Sequence, residues 1–209
     1  MIIAEQQGHG HTADRDLPLS FEQMADDTAA LLKHLNIRSA DLFGYSDGGI
    51  VAFGVAIRHP ERMRKLAVLG ANTSRKEDAY DPEFYGQFLC LPADFARPVL
   101  KEPYDRAAPD PTWWPLLVAK IKEPGRGFPG YADEETASIQ SSALILMGNR
   151  DGVRPEHAVE MYRLIPNAQL AIFPGRDHFM LWSSPETVLA TVIPFLEAPL
   201  PQQRTRRKL

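Results

Sequence analysis

One cysteine, Cys90, stands in 209 residues. A single thiol excludes an intramolecular disulfide framework and any Cys-based zinc cluster, and it fits a reducing compartment. Cys90 reads as a small hydrophobe. No apolar run reaches the roughly 20 residues that span a bilayer. The first residues, Met1 to Glu5, lack the basic and long apolar regions of a secretory leader. There is no excess of basic charge: the net charge is -4, which argues against a nucleic-acid surface. The expectation is a cytoplasmic protein without nucleic-acid or membrane partners. With 44% hydrophobic and 24% charged residues, the chain has ordinary globular material for a buried core.

What is present centres on Gly44-Tyr45-Ser46-Asp47-Gly48-Gly49. An apolar run from Ala40 precedes it and a helical apolar stretch from Ile50 to Ile57 follows. Strand, G-x-S-x-G, helix is the context of a nucleophile elbow. The turn is tight enough to strain its serine, and glycines on either side remove side chains that would collide. Ser46 Oγ is then expected at the carboxyl edge of a sheet, where the helix N-terminus favours developing negative charge.

The rest of the chain alternates in the same rhythm. Ile2-Ile3-Ala4 reads as a strand fragment, followed by a polar loop with His9 and His11. No carboxylate or cysteine cluster accompanies these histidines, so they read as loop residues and no metal site is expected. Ser20 and Gln23 form a capping box. The helix behind it carries Phe21, Met24, Leu31, Leu32 and Leu35 on one face. Lys65 to Gly70 and Ser142 to Gly148 are continuous apolar runs suited to buried parallel strands. A helix follows Pro155, a strand covers Gln169 to Phe173, and a last helix runs from near Ser184 to Glu197.

Between them, residues 72–138 break the pattern. They hold Pro82, Pro92, Pro98, Pro103, Pro109, Pro111, Pro115, Pro124 and Pro129, half of the chain's 18 prolines. A structureless loop of that length does not suit a compact domain, so the segment reads as a helical insertion, with short helical patterns at Phe84 to Leu89 and Trp114 to Ile121. Its aromatics, Trp113 and Trp114 among them, either pack the insertion or line an apolar substrate pocket together with Tyr45 and Phe179. The expected divisions are 1–71 and 139–198 as two parts of one core, 72–138 as a cap, and 199–209 as a disordered basic tail.

Three polar residues occupy equivalent places after strands: Ser46, Asp151 in Asn149-Arg150-Asp151-Gly152, and His178 in Gly175-Arg176-Asp177-His178. Strand carboxyl ends are where open α/β sheets bind ligands. His178 can take the Ser46 proton while Asp151 holds the imidazole in the required tautomer. Asp177 adjoins His178 and is poorly placed to face its ring. His157 lies within a helix and ranks below His178.

With these residues in place, the sequence resembles the α/β-hydrolase superfamily, in its cap-bearing, serine-nucleophile form. Gly44 to Gly49 is similar to the family's elbow, His59-Pro60-Glu61-Arg62 to the end of its helix, Gly148 to Asp151 to its acid turn, and Gly175 to His178 to its histidine loop. Ile2 to Thr12 is similar to the family's strand-four loop. The resemblance implies a mostly parallel sheet, a small ester, lactone or related acyl substrate, no cofactor, and the Asp47 amide as one oxyanion donor. A carboxylate nucleophile of dehalogenase type is disfavoured because the elbow residue is Ser46.

The sequence also departs from the family. Gln7 replaces a usual arginine, which is expected to loosen a buried contact, and Asp47 follows the nucleophile where an apolar residue or Gln is common. The family has three strands ahead of the position of Ile2, and the loop after its third strand supplies a second oxyanion amide. This sequence has no such segment. The expectation is an N-terminally truncated hydrolase. The alternative is an impaired or noncatalytic relative that binds a ligand or partner.

Overall fold

The structure is a computed structural model. It describes residues 1–74, 79–84 and 100–200, with the side chains of 123–127 left aside. Cys90, the later part of the Phe84 to Leu89 pattern and most of the expected tail lie outside these residues.

Among the described residues, four strands form one parallel sheet in sequential order: β1 (Ala40–Tyr45), β2 (Met63–Leu69), β3 (Ser142–Arg150) and β4 (Ala168–Asp177). Helix α1 spans Phe21–His34 and α2 spans Asp47–Arg58. Within 72–138 lie α3 (Glu102–Ala107), α4 (Trp114–Gly127) and α5 (Asp133–Ala137). Then come α6 (Pro155–Leu164), α7 (Met180–Ser183) and α8 (Pro185–Glu197).

β2 and β3 are central and buried on both faces, which explains their unbroken apolar runs. One face carries Leu66, Val68, Ile145 and Met147 against α2 and α6. The other carries Ala67, Leu69, Leu144 and Leu146 against Met180, Val188, Val192 and Phe195 of α7 and α8. Lys65 shares that second face, is 2% exposed, and donates from Nζ to the carbonyls of Phe195, Leu196 and Ala198 at the end of α8. A cation at a helix C-terminus meets its unpaired carbonyls and the negative end of its dipole.

Local expectations meet some corrections. Ser20 Oγ accepts from the Gln23 amide at 3.1 Å, whereas the Gln23 side chain turns along the helix, its Nε2 donating to Asp27 Oδ1 at 3.0 Å. Half of the capping box forms: its return bond needs Gln23 Oε1 facing the Ser20 amide, and the bond to Asp27 draws the side chain the other way. Ile2-Ile3-Ala4 is not a strand: Ile2 and Ile3 are exposed and pair with nothing in the sheet. Apolar sequence alone does not make a strand when no ladder partner accepts its backbone groups. Among the described residues, β1 is an edge strand with its outer side unpaired.

Gln7 corrects a second expectation. It is 5% exposed, and its amide nitrogen lies 2.9 Å from Asp14 Oδ1 and 3.2 and 3.0 Å from the Arg15 and Leu17 carbonyls. Arg15 Nε donates to its oxygen at 3.0 Å. The shorter side chain is fully engaged because the loop brings its own arginine. Lys120 of α4 pairs with Asp14 at 2.7 Å, so this loop also anchors the helical segment.

Candidate active site

β1 delivers the chain to Ser46, and α2 begins at the next residue. Ser46 has φ +53°, a left-handed backbone that costs a non-glycine residue on the order of 1–2 kcal/mol. The neighbourhood enforces it: Ser46 N donates to Leu69 O at 2.9 Å, and the Gly49 amide returns to Ser46 O at 2.8 Å. The turn closes so tightly that a Cβ on Gly44 would sit 2.4 Å from Gly48 O. Only glycine fits there. Strain at an over-determined position is a mark of function.

The structure brings Ser46, Asp151 and His178 together. His178 Nε2 lies 3.0 Å from Ser46 Oγ, and His178 Nδ1 lies 2.9 Å from Asp151 Oδ1. The Asp151 side chain is 1% exposed and that of His178 18%. Asp151 Oδ1 also accepts the Val153 amide at 3.0 Å. The start of the inserted segment braces this acid loop: Asp81 N donates to Gly152 O, and Arg154 N donates to Ala79 O. An acceptor on Nδ1 places the proton there and leaves Nε2 as a base facing the hydroxyl.

Asp177 turns away: its Oδ1 accepts the Phe179 amide at 2.9 Å. His157 is buried on α6. Its Nε2 accepts from the Thr73 and Ser74 amides, and its Nδ1 faces Glu160 at 3.0 Å. It therefore ties the segment after β2 to α6.

The four aromatics expected to line a pocket separate. Tyr45 is half-buried beside His178, with ring centroids 5.1 Å apart, and its hydroxyl donates to the His178 carbonyl at 2.8 Å. Burial, and then the charges of Asp151 and Asp177, push its phenol well above the ordinary range. It stays a donor and holds the histidine backbone. Phe179 is exposed next to the imidazole. Trp114 is buried with Leu19, Tyr104 and Leu117 in a satellite cluster, so it packs the inserted segment, whereas Trp113 is exposed. Two aromatics that sequence reasoning passed over also stand here. Phe84 lies 6.3 Å from the His178 ring, and Trp182 packs edge-on against Tyr45 at 5.0 Å. Neither carries a local motif that could have found it.

The Asp47 amide is the first of α2, adjoining the hydroxyl, where the positive end of the helix favours an anion. Among the described residues, no group of His, Cys, Asp and Glu side chains could hold a metal ion, and no helix is long and apolar enough to cross a membrane.

A profile of the alpha/beta hydrolase family matches residues 3–191. The chain belongs to this family. Serine hydrolase BPHL of Mus musculus is 27% identical over 186 residues, covering 85% of this chain and 62% of its own length. The 2-hydroxymuconate semialdehyde hydrolase of Pseudomonas sp. (strain CF600) is 26% identical over 197 residues, covering 86% of this chain and 70% of its own. Among solved structures, MGS-M2, an alpha/beta hydrolase from a deep-sea metagenome library, superposes with a TM-score of 0.73. It is 16% identical and covers 96% of this chain and 80% of its own. The meta-cleavage product hydrolase CumD of Pseudomonas fluorescens IP01 gives 0.68 at 20% identity, covering 90% and 76%. These likenesses show the fold, and the chain spans 62% of the length of the mouse and human serine hydrolases.

Proposed function

We propose that this chain is a serine hydrolase of small ester, lactone or related acyl substrates, working without metal or organic cofactor in the cytoplasm. One observation carries the reading: an unbroken relay from Ser46 Oγ through both nitrogens of His178 to a buried Asp151, behind a serine held at positive φ. Ser46 Oγ attacks the acyl carbon while His178 Nε2 takes its proton. The tetrahedral oxyanion lies against the Asp47 amide and the α2 N-terminus. Imidazolium then protonates the leaving oxygen, and the acyl group remains on Ser46. Water, deprotonated by His178, hydrolyses that ester and restores the serine. Asp151 stabilises the imidazolium at each stage without taking its proton.

The inserted segment serves as a cap in this reading, and its described residues Ala79 and Asp81 already bond the loop that carries Asp151. Phe84 and Phe179 beside the imidazole favour an apolar acyl or leaving group. A second reading is a hydrolase fold that binds a ligand without turnover. It is favoured by the position of β1, which carries Ser46 at the edge of the described sheet. A fluorophosphonate probe separates the readings. Labelling of the folded wild type, absent in Ser46→Ala, is expected. Folded protein that does not label, and does not hydrolyse short p-nitrophenyl esters, leaves the second reading standing.

A further inference from the structure

Gly70, the residue after β2, takes no part in the relay, yet the place of its missing side chain adjoins both inner members. Its φ is +59°, and a Cβ built on it would lie 2.9 Å from Asp151 Oδ2, 3.1 Å from His178 Nδ1 and 3.2 Å from His178 Cε1. Its amide donates to Leu146 O at 3.0 Å, while the carbonyl of Leu69 before it accepts the Ser46 amide at 2.9 Å. The end of β2 thus holds the serine backbone through one residue and lies against the acid and base through the next. Asp151 Oδ2, the atom closest to the missing Cβ, is buried and has no hydrogen-bond partner among the described residues.

We propose that Gly70 is a positioning residue: the absence of a side chain there sets the spacing of the Asp151–His178 pair and, through it, of His178 to Ser46. This rests on the relay being the catalytic one, and its test is chosen to stand apart from turnover. A side chain at 70 cannot sit 2.9 Å from a carboxylate oxygen. Asp151 must retreat from the imidazole, and the imidazolium loses part of its counter-charge.

The test titrates His178 by NMR in wild type and Gly70→Ala, with Gly175→Ala as a control. Gly175 has φ +72° and nothing within 4 Å of an added Cβ, so its variant carries the backbone strain without the contact. The expected result is a fall in the His178 pKa in Gly70→Ala and none in Gly175→Ala. If the wild type turns over, kcat of Gly70→Ala falls on the order of tenfold to a hundredfold with KM little changed, the scale of an ångström-level misplacement. The acid limb of its pH profile moves with the pKa.

A folded Gly70→Ala with an unchanged His178 titration overturns the proposal, whether or not the wild type is active. A wild type that does not turn over, with the titration shifted in Gly70→Ala, overturns the hydrolase reading and keeps the positioning role. If Gly70→Ala does not fold, the same change is made with Asp151→Gly, which removes the carboxylate that the new Cβ meets. Recovery of folding in the double variant supports the contact. Equal loss in both backgrounds overturns it.

Discussion

Lys65→Met removes one ammonium group and keeps a straight apolar stem. In the wild type, that ammonium sits inside the sheet–helix layer, 2% exposed, and donates to three carbonyls at the end of α8. Two of the distances are 2.8 Å. The variant loses these charge-assisted bonds and the interaction with the helix dipole, which reaches about 2 kcal/mol in partly buried geometry. The Phe195 carbonyl is left buried without its donor, at about 1–3 kcal/mol, whereas the carbonyls of Leu196 and Ala198 lie nearer solvent and regain water. Relief from burying an ammonium, worth several kcal/mol on its own, offsets part of the loss. The balance is a destabilisation of about 2–3 kcal/mol. At about 2–4 °C per kcal/mol for a chain of this size, Tm falls by roughly 5–10 °C. Thermal melting by circular dichroism reads it, and added salt leaves it largely in place because the group is shielded from counterions. A variant that melts within about 1 °C of wild type, or above it, refutes the capping role.

Other outcomes follow from single contacts. Asp151→Asn keeps the fold and lowers kcat on the order of 10³–10⁴, since an amide no longer fixes the tautomer; steady-state ester hydrolysis checks it, and a loss below tenfold removes Asp151 from the relay. Gly44→Ala drives a Cβ to 2.4 Å from Gly48 O, so probe labelling is lost and the melting point drops, by about 1–3 kcal/mol in stability. Arg58 hydrogen bonds, reinforced by those of His59, hold Asp26 at about 2. A depressed carboxylate contributes stability above its unfolded value near 4 and loses it as pH falls toward 2. The half-exposed setting limits this to about 1 kcal/mol. Urea midpoints of wild type and Asp26→Asn therefore differ at pH 6 and converge near pH 2.

The central strands were legible because burial on both faces writes itself as unbroken apolar sequence. The elbow was legible because only a tight strand-to-helix turn explains those glycines about Ser46. Ser46, Asp151 and His178, which hydrogen bond in the structure, each stood out by a place after a strand. Ile2 and Ile3 show the limit of that logic: a strand is a pairing, and composition names no partner. Gln23 shows it for a cap, where a neighbouring Asp27 won the side chain. Lys65 reads as an ordinary strand charge until the end of α8 is placed over it. Trp114 could not be assigned to packing or pocket until Leu19 and Tyr104 were seen against it.

Local sequence determined which backbones turn, which runs bury and which residue types reach the carboxyl edge, because these depend on near neighbours and periodicity. Tertiary structure alone decided the distances between them. Ser46, Asp151 and His178 meet across as many as 132 positions of sequence. Gly70 matters only for what lies beyond its missing side chain. Such contacts are set by how layers stack, and no stretch of a few residues encodes them.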